Sequence, residues 1–396
     1  MLRRVLVAAS LMFAATAQAQ ELHPLPPQPA GVAWPTQEWE EAPLPADVDR
    51  AAFDLAVTEA FGGVHERLGE TRAVIVVQSG RIVFERYAAG YGRDTRLNSW
   101  SMAKSVTHAL VGAAVLQGRV AVDTPMGNPH WPASDRRASI TWREWLQMVD
   151  GLEYDENAED VQNAGNARML FGDGRRDVAR WAAARPLIRD PGTHWNYSSA
   201  ATILISDALT GAIVPDPRDT IDRRNRMRAW MGASLFDRIG MRPVVEFDPQ
   251  GTFYGSSLVW ASARDFARFG YLYLRGGVWD GQRVLPAGWV DFARTPGSDA
   301  DTDVYGAQWW LTPRSGPGRP DRSLITDNAM ADAFSAQGHE GQIIVVVPSK
   351  DLVMVRLGLF HGGLESWNAL GAWSTRLIGA FGRRDAGRGT RAASMR

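Results

Sequence analysis

Residues 97 to 118 read "LNSWSMAKSVTHALVGAAVLQG" and contain a lysine, Lys104, at the start of a nearly all-apolar run. The run predicts a helix that ends at Gly118. Of the 43 lysine and arginine residues, all are arginine except Lys104 and Lys350. Arginine keeps its proton at any ordinary pH, whereas a desolvated lysine can lose its proton and take part in proton transfer. The scarcity of lysine therefore indicates a chemical reason for Lys104.

Ser101 lies three residues before Lys104, which places both side chains on the same face if a helix begins near residue 101. A helix N-terminus also offers free backbone N–H groups and a positive potential to an oxyanion that forms at Ser101. A serine hydroxyl becomes nucleophilic when a neighbouring base takes its proton, and a neutral lysine can act as that base. The pattern S-x-x-K is short, and the alternative is a serine N-cap followed by a solvated lysine.

The composition restricts the possible functions of the 396-residue chain. With 45% hydrophobic residues, 22% charged residues and a net charge of -1, it is typical of a soluble globular protein with one large domain or two. No charge excess points to nucleic acid. The absence of cysteine excludes thiol nucleophiles, thiolate metal sites and disulfides, and the seven histidines show no metal-ligand spacing.

The two ends of the sequence have unusual compositions. Residues 1–19 combine two arginines, an apolar run and Ala17-Gln18-Ala19, the layout of a cleavable signal peptide, with cleavage expected after Ala19. An ordinary buried N-terminal helix is the alternative. Residues 20–46 form a Pro-rich lead-in, and residues 383–396 are predicted to be a basic, disordered tail. No later run is apolar for long enough to predict a transmembrane segment.

Periodicity predicts a sheet built from both ends of the chain. A helix is expected over residues 46–61, followed by a hairpin with strands 73–77 and 81–87. Near the other end, "QIIVVVPS" and "DLVMVRLGLF" read as strands buried on both faces. Residues 47–100 and 253–382 are therefore predicted to form an α/β sheet subdomain of the α+β type, with residues 101–252 as an inserted helical subdomain.

Two further motifs follow the serine and lysine in the sequence. In "PGTHWNYSSAAT" a turn presents Tyr197 and then Ser199 just before a predicted helix. In "SAQGHEGQIIVVV" the residues Gly338, His339 and Gly341 precede a predicted buried strand. The three motifs in this order resemble the serine β-lactamase and penicillin-binding-protein superfamily. Within it, residues from about 47 to 382 are most similar to the class C β-lactamase-related branch, which includes 6-aminohexanoate-dimer hydrolases and family VIII carboxylesterases.

The resemblance implies a β-lactamase-like fold, with an antiparallel sheet flanked by helices, and a role for each motif. Ser101 would be the acylated nucleophile, Lys104 its proton partner, and Tyr197 a phenol that relays protons. The backbone N–H groups of Ser101 and Gln342 would form the oxyanion hole. The substrate-binding residues that the resemblance implies are Ser199, Tyr254, His339 and Gly341.

The sequence departs from the superfamily at two motif positions. Ser199 stands where β-lactamases have asparagine, and His339-Glu340-Gly341 stands where they have Lys-Thr-Gly. The second change removes a fixed positive charge, so anionic substrates are expected to bind poorly. His339 also has a structural alternative, as a strand-edge histidine.

Three other groups of residues are interpreted as structural. His108, on the apolar helix, is expected to be a core histidine. A solvated acidic loop is predicted for the carboxylates after Gly151, which are Asp155, Glu156, Glu159 and Asp160. Trp309-Trp310 is expected to pack in the core or line an apolar pocket.

The expected function is that of an exported serine hydrolase, secreted or periplasmic, that cleaves a small ester or amide. It requires no metal or organic cofactor, and its partner is a small-molecule substrate rather than nucleic acid. The alternatives are a β-lactamase, a cell-wall D-Ala peptidase, and a non-catalytic penicillin-binding-like receptor. The acyl group, the leaving group and the oligomeric state are left open by the sequence.

Overall fold

The fold is described from a computed structural model. This structure describes residues 21–156, 163–297, 302–312, 324, 330–360 and 363–383. The predicted signal peptide and all but the first residue of the predicted tail lie outside the described residues.

The described chain contains helices and strands in a mixed order. The helices are α1 Arg50–Phe61, α2 Met102–Leu116, α3 Trp142–Leu146, α4 Gly165–Leu170, α5 Val178–Ala183, α6 Ser199–Ile213, α7 Thr220–Met231, α8 Ala263–Leu274, α9 Trp289–Ala293 and α10 Leu364–Gly379. The strands are β1 Glu70–Gln78, β2 Arg81–Tyr87, β3 Leu97–Asn98, β4 Val244–Val245, β5 Val259–Ala261, β6 Val278–Trp279, β7 Gln282–Arg283, β8 Trp310–Leu311, β9 Phe334–Gly338, β10 Gln342–Val347 and β11 Leu352–Leu359.

The main sheet has six strands in the order β2-β1-β11-β10-β9-β8, and every neighbouring pair is antiparallel. Strand β1 from the first part of the chain pairs with β11 from the last part. Ser79 and Gly80 connect β1 to β2 with φ angles of 53° and 79°, as a two-residue hairpin turn requires. The predicted antiparallel sheet, flanked by helices, is confirmed.

Both faces of this sheet are covered, which explains the unbroken apolar runs of its central strands. In β10, Ile343 and Val345 belong to one apolar cluster, which includes residues of α1 and α10. Ile344 and Val346 belong to the other cluster, which includes residues of α2 and α8. Successive side chains of a strand point to opposite faces, so a strand between two helical layers is apolar at every position.

Helix α2 lies in the interior and contacts both the helical part and the sheet. Thirteen of its fifteen residues are buried, as an all-round apolar helix requires. It ends as predicted, with Gly118 in the left-handed region at φ 67° and its N–H bonded to the carbonyl of Val115. Its neighbours include helix α6 and strands β9 and β10. The first turn of α2 therefore lies where the helical part meets the sheet.

The lead-in is held against the body of the protein by its described residues, 21–46. Trp39 is buried in the larger apolar cluster, the one that includes residues of α2 and α8. Trp34 packs on Tyr271 with ring centroids 5.6 Å apart. The Leu25 N–H donates to Asp291 Oδ1 at 2.7 Å. These contacts hold the segment in place without regular secondary structure of its own.

Some elements differ from those predicted by periodicity. The helix expected over residues 46–61 begins at Arg50, because the Asp49 side chain caps it. Periodicity missed β9, whose sequence "FSAQG" is too short and polar to stand out as a strand. It also missed α7, which is mostly polar. Among the described residues, no helix is both long and apolar enough to cross a membrane.

Candidate active site

Ser101 occupies the N-cap of α2, three residues after the end of the short strand β3. The residue before it, Trp100, has φ 45°, a left-handed conformation that is uncommon for an aromatic residue. Ser99 is anchored through its N–H to the carbonyl of Val259 at 2.9 Å. Ser101 itself is partly exposed, whereas most of the helix behind it is buried. The hydroxyl is thus presented at an accessible end of a rigid helix.

Lys104 lies one turn further into α2, and only 1% of its surface is exposed. Its ammonium group donates to the Ser101 hydroxyl at 3.0 Å, the Ser199 hydroxyl at 2.9 Å and the Ser256 carbonyl at 3.1 Å. Burial lowers the pKa of Lys104 from its ordinary value of 10.5 to about 8, and the charge of Glu156 opposes that shift. A lysine with this pKa can both release and accept a proton near neutral pH.

Glu156 corrects the prediction of a solvated acidic loop at this position. It is buried, its Oε1 accepts the hydroxyl of Ser199 at 2.7 Å, and its Oε2 accepts the N–H of Ser199 at 2.8 Å. The exposures of Glu153 to Glu156 alternate, with Tyr154 and Glu156 turned inward. The sequence carried little signal of this burial, because Glu156 is as polar as its exposed neighbours Glu153 and Asp155. Glu159 and Asp160 lie outside the described residues.

Ser199, for which the resemblance implied substrate binding, is hydrogen-bonded to two side chains of the protein itself. Its one hydroxyl proton is donated to Glu156, and its oxygen accepts from Lys104. A hydroxyl has a single donor, so the donor of Ser199 is already used within the protein. Ser199 links Glu156 to Lys104, and through it to Ser101.

Tyr197 lies just before α6, where Asn196 is fixed by its N–H bond to the carbonyl of Met148 at 3.0 Å. The tyrosine ring packs against Tyr305 and Trp310, at centroid distances of 5.7 and 5.1 Å. Lys104 Nζ lies 4.8 Å from the centroid of the Tyr197 ring. The structure thus brings the Tyr197 ring next to the Lys104 ammonium group.

The tryptophan pair near β8 has two different environments. Trp310 supports Tyr197, whereas Trp309 is buried and packs against Tyr273 with ring centroids 4.4 Å apart. Trp309 is therefore a core residue. Trp310 belongs to the aromatic wall of the candidate active site.

The third motif lies at the loop between β9 and β10, beside the nucleophile. A Cβ on Gly338 would lie 2.2 Å from the Ser99 carbonyl oxygen, so the two backbones are in close contact. His339 is exposed, and its ring lies 5.4 Å from the Trp100 ring, edge to face. The Trp100 indole N–H donates to Glu340 Oε2 at 3.1 Å.

Gln342 and Gly341, the other predicted residues of this motif, contact strand β11 and Phe360 just after it, and their predicted roles stay predictions. The Gln342 side chain donates to the Gly358 carbonyl at 2.7 Å and accepts the Gly358 N–H at 3.0 Å. Gly341, at φ 80°, packs against Arg356 and Phe360. The parts of this motif that touch the nucleophile segment are Gly338, His339 and Glu340.

The structure places Tyr254, the implied pocket residue, in the apolar core. It is buried in the larger apolar cluster, with its hydroxyl 3.5 Å from the Arg175 carbonyl, and burial raises the pKa of Tyr254 to about 12. The same segment reaches the site through Ser256, whose carbonyl accepts from Lys104. Its contribution to the site is thus a backbone oxygen.

His108, the expected core histidine, and Lys350, the second lysine, both have structural surroundings. His108 is buried, stacks on Trp289 and has its Nδ1 2.7 Å from the Tyr273 hydroxyl, and burial lowers the pKa of His108 to about 3. Lys350 donates to the Phe381 carbonyl, at the end of the last helix. Within the described ranges, no group of three or more His, Cys, Asp or Glu side chains is arranged to hold a metal ion.

Replacing Glu156 with glutamine is expected to move the pH dependence of the reaction to lower pH. If neutral Lys104 accepts the serine proton, kcat/KM rises with pH with a midpoint near the pKa of Lys104, about 8. The Glu156 charge raises that pKa, so its removal lowers the midpoint. The measurement is kcat/KM for a neutral ester from about pH 6 to 9.5. Asp155→Asn, at the exposed neighbouring carboxylate, is the control and should leave the midpoint unchanged. An upward shift in Glu156→Gln would contradict the assignment.

Comparisons with known proteins find similar sequences and similar structures. A protein-family model described as Beta-lactamase matches residues 64–358. The 6-aminohexanoate-dimer hydrolase of Paenarthrobacter ureafaciens is 28% identical over 335 residues, which cover 76% of each chain. A solved structure from Bacillus anthracis, provisionally named a 6-aminohexanoate-dimer hydrolase, has a TM-score of 0.63 at 19% identity, with 91% of this chain and 90% of that chain covered. A class C β-lactamase from Rhodobacter sphaeroides has a TM-score of 0.55 at 17% identity, with 83% of this chain and 97% of that chain covered.

Proposed function

The chain belongs to the Beta-lactamase family and is a serine hydrolase related to 6-aminohexanoate-dimer hydrolase, and from this premise we propose that it cleaves a small ester or amide through an acyl-enzyme on Ser101. The observation that carries the proposal is the hydrogen-bond chain from Glu156 through Ser199 and Lys104 to Ser101. It joins a partly exposed hydroxyl to a buried amine of lowered pKa. That pairing activates a serine without a metal or a histidine.

The proposed reaction has two stages, and every proton has a carrier. In the first, Ser101 Oγ bonds to the substrate carbonyl carbon while its proton passes to Lys104. The tetrahedral intermediate then collapses, and the bond to the leaving group breaks as Tyr197 delivers a proton to that group. In the second stage, water attacks the acyl carbon and gives a proton to Tyr197. The bond from that carbon to Ser101 Oγ then breaks, and Ser101 takes its proton back from Lys104. The products are the carboxylic acid, the alcohol or amine, and a regenerated Ser101 hydroxyl.

The oxyanion of both intermediates requires two hydrogen-bond donors. One is proposed to be the backbone N–H of Ser101, which is at the positive end of α2. The resemblance implied the backbone N–H of Gln342 as the second donor. The backbone at Gly338–His339 is proposed instead, because a Cβ on Gly338 would lie 2.2 Å from the Ser99 carbonyl oxygen, which puts this segment directly against the residues that precede Ser101.

The substrate class is proposed from the charge of the third motif. The exposed side chain at this position is His339, and Glu340 next to it adds a carboxylate. The nearby Arg356 is fully buried and donates to backbone carbonyls of the loop, so its charge is turned away from solvent. A substrate carboxylate therefore finds little attraction here, which favours neutral or amine-bearing esters and amides.

Export is a further part of the proposal and is supported by the N-terminal sequence alone. The two arginines, the apolar run and Ala17-Gln18-Ala19 match a cleavable signal. Expression of the full chain with its leader, followed by intact-mass measurement of the exported fraction, tests this. The expected mature protein begins at Gln20, and retention of residues 1–19 by all of the protein would contradict export.

Wild-type protein is expected to hydrolyse a short-chain p-nitrophenyl ester with a kcat/KM about 100-fold higher than that for nitrocefin, equivalent to about 2.7 kcal/mol. The physical reason is that nitrocefin carries a carboxylate that meets no fixed cation in the third motif. His339→Lys restores such a cation, so it should lower the ratio of kcat/KM for the ester to kcat/KM for nitrocefin. A short amide with a free amine completes the panel, measured at one pH.

Other outcomes of this panel support the alternatives. A wild-type preference for nitrocefin, with no further gain in His339→Lys, would support a β-lactamase. Turnover confined to D-Ala-D-Ala peptides would support a cell-wall peptidase. Saturable binding of such ligands without acylation of Ser101 would support a receptor.

A further inference from the structure

The loop between β9 and β10 is attached to the nucleophile segment by a side-chain contact that the proposed reaction does not use. Trp100, which directly precedes Ser101, donates its indole N–H to Glu340 Oε2 at 3.1 Å. Both residues are in the left-handed backbone region, with φ 45° for Trp100 and φ 62° for Glu340. Neither is glycine, so each conformation has to be held by its surroundings. The contact joins two otherwise unfavourable backbone positions across the site.

Arg356 holds the same loop from inside the sheet. Its side chain is 0% exposed, and Nη1 donates to the carbonyls of Gly341 at 2.8 Å and Glu340 at 3.3 Å. Nη2 donates to the carbonyls of Leu68 at 2.7 Å and Glu70 at 3.1 Å. Within the described part of the chain, no carboxylate lies within 4 Å of this guanidinium. Its donors are used to tie the loop to the start of β1.

Two glycines provide the space that this arrangement needs. A Cβ on Gly341 would lie 2.5 Å from Arg356 Nη1, and a Cβ on Gly358 would lie 2.4 Å from its Cζ. Such distances do not occur between real atoms, so larger residues would displace the guanidinium. The arginine and the two glycines therefore act as one packed unit beneath the loop.

We propose that Glu340 and Arg356 are positioning residues that set the distance between Ser101 and the backbone at Gly338–His339. Glu340 holds the loop to Trp100 from the solvent side, and Arg356 holds the loop's carbonyls from the sheet side. Because these two backbone segments are the proposed walls of the oxyanion hole, the contact fixes the hole before substrate binds. This inference rests on the proposed function.

The competing role for Glu340 is direct binding of a substrate ammonium group. Its surroundings include His339 as the adjacent titratable side chain and Trp100 as the bonded partner. Among the described residues, no lysine, arginine or histidine nitrogen lies within 4 Å of the Glu340 carboxylate. Loss of a positioning role lowers kcat on every substrate, whereas loss of an ammonium-binding role raises KM for amine-bearing substrates alone.

The experiment compares Glu340→Leu, Glu340→Gln and Trp100→Phe on a neutral p-nitrophenyl ester and on an amine-bearing substrate. Glutamine keeps an oxygen that can accept the indole N–H, whereas leucine does not. Phenylalanine keeps the ring and removes the N–H. We expect Glu340→Leu and Trp100→Phe to lower kcat on both substrates by about 10- to 100-fold, with KM within about twofold, because a small displacement at the site is costly. Glu340→Gln should stay within about threefold of wild type.

The double variant Trp100→Phe/Glu340→Leu should be no slower than the slower single variant, because both remove the same contact. Thermal unfolding of each variant checks that the protein remains folded at the assay temperature. A kcat for Glu340→Leu within twofold of wild type would overturn the proposal. So would a KM increase in Glu340→Gln confined to the amine-bearing substrate, since that result would assign Glu340 to substrate binding.

The failure of this inference can be distinguished from failure of the proposed function. A wild-type protein that neither turns over any ester or amide nor becomes acylated at Ser101 removes the proposed function, and the inference with it. An active wild type whose Glu340→Leu and Trp100→Phe variants are equally active removes only the positioning role.

Discussion

Ser101→Ala is expected to abolish acylation and to lower kcat by at least about 10,000-fold, because loss of the nucleophile removes the covalent path. Ser101 is partly exposed at the N-cap of α2, and its side chain makes no capping hydrogen bond. The fold should therefore tolerate the change. The measurements are steady-state hydrolysis of a p-nitrophenyl ester and intact-mass detection of the adduct formed by an active-site phosphonate.

Ser105→Ala is the matched control for the first prediction. Ser105 is one turn further along α2 and is buried, and its hydroxyl donates to the Gln308 carbonyl at 2.7 Å. Its loss should lower stability and leave phosphonate labelling of the folded protein intact. Equal labelling of wild type and Ser101→Ala would assign the nucleophile to another residue and refute the mechanism.

Lys104→Arg is expected to be nearly as damaging as Lys104→Ala, with kcat/KM lowered by at least about 100-fold, or about 2.7 kcal/mol of barrier. Arginine preserves the positive charge but keeps its proton, so it cannot accept the proton of Ser101. It is also larger than lysine, and the Lys104 side chain is enclosed by the acceptors Ser101, Ser199 and Ser256. Ester hydrolysis and the rate of phosphonate labelling measure the effect.

Lys350→Arg controls for the general cost of placing arginine at a buried lysine. Lys350 is also buried, and it donates to the Phe381 carbonyl rather than to a residue of the site. Its replacement should change the unfolding temperature and leave kcat/KM within about twofold of wild type. If Lys104→Arg retains more than about a tenth of wild-type activity, charge alone is sufficient and proton transfer through Lys104 is wrong.

The network around Lys104 also explains why its neighbours matter to the proposed chemistry. A buried ammonium group is costly unless hydrogen bonds and opposite charge compensate for lost water. Here the compensation comes from two hydroxyls, one carbonyl and the carboxylate of Glu156 behind Ser199. Because this compensation is partial, the pKa of Lys104 is about 8, below its ordinary value of 10.5. The same network thus stabilises the lysine and keeps its proton transferable.

Local patterns in the sequence were sufficient to predict the sheet and the proximity of Ser101 and Lys104. The apolar runs of β10 and β11 predicted strands buried on both faces because a strand presents alternate residues to each face. Ser101 and Lys104 could be placed together because the geometry of one helical turn brings residues i and i+3 together wherever the helix is packed. The 3.0 Å distance between Lys104 Nζ and Ser101 Oγ follows from that local rule.

The remaining members of the site are separated along the chain, and only tertiary packing brings them together. Glu156 reaches Ser199 across 43 residues, and Trp100 reaches Glu340 across 240. No local periodicity encodes such contacts, because they depend on how α6 and the β9–β10 loop pack around α2. The sequence by itself determined which residue types were available for the chemistry. The packing of the sheet against the helices decided that Glu156 is buried beside Ser199 and that Gly338 lies against Ser99.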